Sequence, residues 1–207
     1  MSIFRRRRSG GPVDEDAPAG DGRILLVGLG NPGKRYEATR HNVGAIVVAE
    51  LERRWELPRP RKKFNALVSE GRVRPGGPRV VALRPQTYMN ESGRSVGPAR
   101  GSLRVPVDRV VAVYDEIDLP FGEIRSKLGG GAAGHNGIKS LRDGLGSTDF
   151  WRLRVGVGRP ESTDPEVVSA HVLGRFRESD DEVGGLIAAT ADEAERLIGR
   201  IEAGDDE

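Results

Sequence analysis

His41, Asp115 and the three asparagines Asn31, Asn90 and Asn136 are the side chains whose types and positions could carry chemistry in this chain. A neutral imidazole is suited to taking a proton from water near neutral pH, because its ordinary pKa lies close to working pH. A carboxylate on the other ring nitrogen would fix the tautomer and stabilise the imidazolium that forms. Carboxamides donate and accept without titrating, so they can hold a substrate, orient a water or stabilise a developing oxyanion. Taken singly, each of these residues is also an ordinary turn or capping residue. What singles them out is that all fall at expected junctions between strands and the segments that follow.

The elements that must position them can be read from the pattern. Residues 24–27 are an aliphatic, glycine-bounded run of the kind found in a central strand, and Gly28, Gly30 and Gly33 make the following turn permissive enough to present Asn31. Thr39 is the expected cap of the next helix, with Val43, Ile46, Val47, Leu51 and Trp55 on its apolar face and His41 in its first turn. Residues 58–63 read as a basic connection. Strand-like runs at 66–73 and 79–83, split by Pro75-Gly76-Gly77-Pro78, read as a hairpin. A loop over 85–90 leads into a Gly-interrupted helix ending near Arg104. A second buried strand over 110–114 delivers Asp115 to its carboxyl end, where ligands of α/β sheets collect. A short strand at 124–127, a glycine loop at 129–134, a short helix, a strand at 153–157 and an amphipathic helix at 181–201 complete the reading.

Composition narrows the chemistry. The chain has 207 residues and no cysteine, which excludes a disulfide framework, a thiolate metal site and a Cys nucleophile. With only His41, His135 and His171 as further ligands, neither the donors nor their spacing suggest a metal site. No apolar segment follows the basic run at 5–8, so neither signal peptide nor membrane anchor is expected, and a cytoplasmic protein is. The net charge of +2 is unevenly spread: residues 23–177 hold 27 basic and 16 acidic side chains, a surplus of +11, whereas residues 178–207 carry −9. A basic body of this kind is the footprint of a polyanion binder. Residues 1–22 are expected to be a disordered extension, 23–202 a single domain and 203–207 an acidic tail.

Two motif matches are discounted. Gly28-Leu29-Gly30-Asn31-Pro32-Gly33 fits a dinucleotide-binding fingerprint, but Pro32 and the residues after it delay the helix that should cradle a pyrophosphate. Gly93-Arg94-Ser95-Val96-Gly97 fits a nucleophile elbow with no strand before it.

Five stretches together resemble bacterial-type peptidyl-tRNA hydrolase: VGLGNPGKRYEATRHNVG (27–44), RPQTYMNESG (84–93), YDEIDLPFG (114–122), LGGGAAGHNG (128–137) and RLRVGVGRP (152–160). The resemblance implies an α/β fold, a single-domain three-layer α/β/α structure with a mixed, mostly parallel twisted sheet. It implies a monomeric cytoplasmic enzyme that uses no metal or cofactor and cleaves the ester between a peptide and the tRNA 3′ end. By that resemblance His41 is the proton acceptor, Asp115 stabilises it, and Asn31 senses an acylated amino nitrogen and helps place the carbonyl. Tyr36, Tyr88, Asn90 and Asn136 become substrate contacts, Met89 lines the cleft, and Arg125, Lys127 and Arg154 meet tRNA phosphates. Ala132-Ala133, Tyr114 and the Arg-rich N-terminus depart from the family's usual pattern. The alternative reading is a non-catalytic RNA-binding relative of the same fold, like plant organelle splicing factors.

Overall fold

The computed structural model describes residues 22–205. The expected N-terminal extension therefore lies outside the described residues except for Gly22, as does the end of the acidic tail, 206–207. In chain order the elements are β1 (Ile24–Gly28), α1 (Val43–Arg54), β2 (Arg61–Lys63), β3 (Ala66–Arg72), β4 (Arg79–Pro85) and α2 (Gly93–Leu103). They continue with β5 (Val110–Glu116), β6 (Ile124–Leu128), α3 (Asn136–Leu145), β7 (Trp151–Gly156), α4 (Pro165–Leu173) and α5 (Asp180–Ala203).

The aliphatic runs become the middle of a seven-stranded sheet of order β2-β3-β4-β1-β5-β7-β6. Every residue of β1 and β5 is buried, as befits strands covered on both faces. The pairings β4–β1, β1–β5 and β5–β7 are parallel, whereas β2–β3, β3–β4 and β6–β7 are antiparallel. The sheet is thus mixed, with β3 and β6 running against the others. Helices α1 and α5 bury Val47, Leu51, Leu197 and Ile198 against one face; α2 and α3 bury Val96, Ala99, Ile138 and Leu141 against the other. This is the three-layer α/β/α arrangement expected.

The structure corrects the sequence reading in three places. Thr39 does not cap α1: its hydroxyl donates to the Tyr36 carbonyl at 2.8 Å, and residues Arg40–Asn42 form a separate 3-10 turn before α1 begins at Val43. His41 therefore sits just ahead of the helix, not in its first turn. The last three residues of the basic connection form β2, an edge strand whose side chains are all exposed cations, a pattern that discourages pairing with another chain. Helix α4 went unread because none of its residues is buried, so it carries no amphipathic period; local signals alone start it, with Asp164 accepting from the Glu166 N–H at 2.8 Å and Pro165 at the first position.

Both discounted motifs are explained by their surroundings. After Gly33 the next α-helix starts only at Val43, and Ser95 lies inside α2, fully buried, donating to the Asn65 carbonyl at 3.0 Å.

The site is fixed by backbone touching backbone where β1, α1 and β5 meet. A Cβ on Gly44 would lie 2.0 Å from the Val113 carbonyl oxygen, and one on Gly28 would lie 2.6 Å from the Gly44 carbonyl oxygen. At Gly44 no side chain can yield, because the obstructing atoms are all main chain. Gly44→Ala should therefore destabilise the fold by about 1–3 kcal/mol, the usual range for overpacking, and lower turnover further by moving His41, three residues away. Thermal unfolding and turnover measured together would show both effects, and an unchanged Tm would contradict this packing.

Candidate active site

His41 and Asp115 arrive from different strand ends and meet. His41 Nδ1 lies 2.9 Å from Asp115 Oδ1 and 3.0 Å from Oδ2. Beyond that pair stands His135, which the sequence offers only as one of three histidines weighed as metal ligands and within the LGGGAAGHNG stretch: its Nε2 is 3.0 Å from the same Oδ1. Because His135 Nδ1 accepts the Ile138 N–H at 3.2 Å, its proton belongs on Nε2, donating to Asp115. Asp115 is thus an acceptor for two imidazoles. The carboxylate leaves His41 in the Nδ1–H form, so its Nε2 lone pair is available.

The electrostatics follow from burial. The Asp115 side chain is only 2% exposed, and burial by itself would raise its pKa. The positive potential and N–H donors of His135 and His41 outweigh that and hold the carboxyl well below its usual range. Its contribution to stability is therefore complete above the ordinary carboxylate pKa and is lost only as pH falls through the lowered value. The convergence of His41, Asp115 and His135, with one ligand atom of each within 4.8 Å of the others, corrects the expectation that this chain lacks ligand spacing: folding supplies what chain separation concealed. The nitrogen atoms that face one another there are already engaged with the carboxylate.

Asn31 is held with equal care. Its N–H donates to Asn42 Oδ1 at 2.8 Å, and Asn42 Nδ2 returns a bond to the Asn31 carbonyl at 2.9 Å. Its own Oδ1 accepts the Met89 N–H at 2.8 Å, which leaves the Nδ2 donor for a ligand. Asn42, buried beside His41, was not singled out from the sequence, although it stands within the quoted RHNVG. Asn31, His41, Met89, Asn90, Asp115 and Asn136 all line one cleft of about 560 Å³. Its remaining wall includes Glu116, Ile117 and the α4 residues Val168 and Val172.

Two buried arginines brace the cleft. Arg40 donates to the Arg175 carbonyl and, at 3.3 Å, to Glu178 Oε2, while its own N–H bonds the Gly174 carbonyl at 3.0 Å. It thereby ties the residue before His41 to the connection between α4 and α5. Arg152 donates to the carbonyls of Gly130 and Gly131, holding the glycine loop that leads to His135. Tyr114 packs edge-on to the His135 ring at 4.8 Å, and its hydroxyl is pushed up to about 12, chiefly by burial, so it stays protonated.

The other expected contacts lie outside the cleft wall. Tyr36 sits in a 3-10 turn under Arg35, 4.5 Å from its ring, and Tyr88 is 52% exposed ahead of Met89. Arg125, Lys127 and Arg154 share one sheet face at the β6 edge, with Arg125 opposite Arg154 and Lys127 opposite Arg152. Arg154 also holds Glu116 Oε2 through Nε and Nη2 at 3.1 and 3.0 Å, which connects this basic rim to the cleft.

Asp115→Asn preserves the volume but offers one acceptor oxygen to two N–H donors and disturbs the His41 tautomer. The expected outcome is a fall in kcat of about 10²–10⁴ with KM little changed, the range assigned to a positioned general base. In acid unfolding, the stability gap between wild type and variant should narrow as pH drops below about 4. A gap independent of pH would mean that the carboxylate is not held by the histidines.

Comparison with known proteins gives the family. The profile of the family described as peptidyl-tRNA hydrolase matches residues 25–204. A peptidyl-tRNA hydrolase of Acidiphilium cryptum is 48% identical over 158 residues, covering 76% of this chain and 80% of the relative. One from Bacillus pumilus is 44% identical over 176 residues, covering 84% and 92%. The crystal structure of peptidyl-tRNA hydrolase from Acinetobacter baumannii superposes with a TM-score of 0.78 at 34% identity, covering 91% of this chain and 92% of that one. The chain belongs to the peptidyl-tRNA hydrolase family.

Proposed function

We propose that the cleft hydrolyses the ester joining a peptide, or another N-blocked aminoacyl group, to the 3′ end of tRNA, and so recycles tRNA during translation. The observation that carries this is the His41–Asp115 pair at 2.9–3.0 Å, which leaves His41 Nε2 open in the same cleft as the spare Asn31 amide. Water gives its proton to His41 Nε2 as its oxygen attacks the ester carbonyl carbon. The carbonyl electrons move to oxygen, where an amide donor from Asn31 stabilises them. Collapse of the tetrahedral species breaks the bond to the ribose oxygen, which takes the proton back from His41. Asp115 stabilises the imidazolium in between, and His135 shares the carboxylate and keeps it ionised.

An aminoacyl ester is already activated, so this route needs no covalent Ser or Cys intermediate, and in our reading no metal or cofactor. A positioned base contributes about 10²–10⁴-fold and one oxyanion donor about 10²–10³-fold. Asn90 and Asn136 hold the substrate by hydrogen bonds, Met89 lies along the peptide, and Tyr36 and Tyr88 contact the substrate at the mouth. Like charges directly opposite across a β-ladder are destabilising, and the β6–β7 pairing keeps two such pairs, Arg125 with Arg154 and Lys127 with Arg152. Glu116 and Glu123 offset part of that cost through Arg154 and Arg125, and the positive charge left over at Lys127 and Arg152 supports placing tRNA phosphates here. Such contacts give affinity without reading sequence, as an enzyme for many tRNAs requires. We place this activity in residues 23–202 of a monomeric cytoplasmic protein.

Hydrolysis of N-acetylated aminoacyl-tRNA beside the unblocked compound, with His41→Ala as control, tests the reaction. The expected result is His41-dependent release from the blocked substrate alone; salt-sensitive tRNA binding without release would instead indicate a non-catalytic RNA-binding relative. For the rim, Arg125→Ala/Lys127→Ala should raise KM and reduce the slope of log K against log salt by about 1–2, with kcat nearly unchanged. An unaltered slope would remove the rim from the tRNA surface.

A further inference from the structure

The opposite edge of the sheet carries a second cationic concavity that the hydrolytic cleft does not use. A groove of about 700 Å³ runs along β2, β3 and β4 and is lined by Arg59, Arg61, Lys63, Arg72 and Arg79, with Glu70 its one acidic group among the described residues. Register puts Arg61, Arg72 and Arg79 on the same sheet face: Arg61 stands opposite Val68, and Arg72 opposite Arg79. Lys63 lies two residues along from Arg61, so it shares that face.

Edge protection accounts for part of this charge. Cations on β2 suffice to blunt an exposed edge. They do not account for Arg72 and Arg79, which lie on the next two strands inward and face each other directly across an antiparallel ladder. Such a like-charge pair costs stability unless an anion shares it. Glu70 meets part of that need, serving Arg79 at 3.1 Å and Arg23 at 3.4 Å, while among the described residues Arg72 Nη1 bonds a main-chain carbonyl, that of Gly77, at 2.6 Å. Arg59, Arg61 and Lys63 have no carboxylate partner among the described residues.

The chemistry of the lining favours nucleic acid. Four of the five cations are arginines, whose planar fork matches phosphate. The half-buried Phe64 ring also lines the groove, packed on one side against the core below β4 and with Lys63 Nζ 4.6 Å from its centroid, so a base would meet its open part beside that cation. A cationic groove with an aromatic platform is the usual arrangement for single-stranded nucleic acid. Position separates it from the hydrolytic cleft and from the β6 rim. Six strand spacings of about 4.8 Å, roughly 29 Å, lie between β2 and the β6 rim. Along β4 the groove takes Arg79 and Val81, from the half of the strand away from the end that leads to Met89.

We propose that this groove is a second RNA site, which binds a single-stranded segment separate from the acylated 3′ end. Its test reads binding and not hydrolysis, so it can fail while the hydrolase reading stands, and the reverse.

Binding of a fluorescent oligouridine to the full chain would be followed by anisotropy over a series of salt concentrations. Arg59→Ala/Arg61→Ala/Lys63→Ala should weaken it about tenfold or more and reduce the salt slope by about 2. Its kcat/KM on N-acetylated aminoacyl-tRNA should stay within about twofold of wild type. A single Arg72→Gln change, which removes one cation from the groove and leaves Arg59, Arg61 and Lys63 in place, should weaken oligouridine binding and reduce the salt slope by about 1, a signature that a merely structural arginine would not give. Unchanged oligouridine binding in both variants would overturn the proposal. So would a parallel loss of kcat/KM, which would make the groove part of the substrate's own path, or displacement of oligouridine by polyglutamate as readily as by unlabelled oligouridine.

Discussion

A single buried carboxylate organises the centre of this protein. Asp115 occupies the next-to-last position of β5, almost wholly removed from water, and an ionised group there is tolerable only if partners replace its hydration. His41 and His135 supply those partners, one from the turn before α1 and one from the cap of α3. The same bonds that stabilise the charge set both ring tautomers, so folding and the readiness of His41 for the proposed role of base are a single matter. His135 has a further duty, because its Nδ1 closes the first turn of α3 and thereby ties that helix to the carboxylate.

The surrounding architecture serves that meeting. Main-chain contact at Gly28 and Gly44 brings α1 onto β1 and β5 as closely as atoms allow, which places His41 over the strand end. Asn42 then uses its amide to clamp the Asn31 backbone, and Asn31 in turn receives the Met89 N–H from beyond β4. Three segments are thus joined by directional bonds between asparagine side chains and main-chain groups, which hold geometry without adding charge near His41. Arg40 and Arg152 perform the complementary task from the outside, fixing the α4–α5 connection and the glycine loop through carbonyl acceptors.

Charge is arranged by a different logic at the periphery. The sheet opposes arginine or lysine to arginine across a ladder at its β6–β7 edge and, one strand in from its other edge, at β3–β4. Neither place gains stability from that arrangement, and both gain attraction for a polyanion. The acidic residues concentrated in α5 lie instead on the layer that covers the other face, where Asp192 and Glu195 meet Arg54 and Trp55 of α1.

Much of this was legible in the residues themselves. The aliphatic runs identified the central strands because burial on both faces needs continuous apolar sequence, and turn glycines located the hairpin and the loop carrying Asn31. His41, Asp115 and the asparagines could be chosen as candidates because few side chains do proton transfer or neutral hydrogen bonding well. What the sequence could not supply was distance. The sharing of Asp115 by His135, the clamp from Asn42 and the buried bracing arginines are pairings across the chain, invisible to any local pattern. Helix α4 escaped because it has no buried face to generate a period, and the start of α1 shifted because tertiary bonding at Asn42 overrode a plausible threonine cap. Residue types determined which chemistry was available to this protein; only the packing of β1, α1 and β5 decided which atoms would meet to perform it, because proximity between remote residues is a property of the folded core.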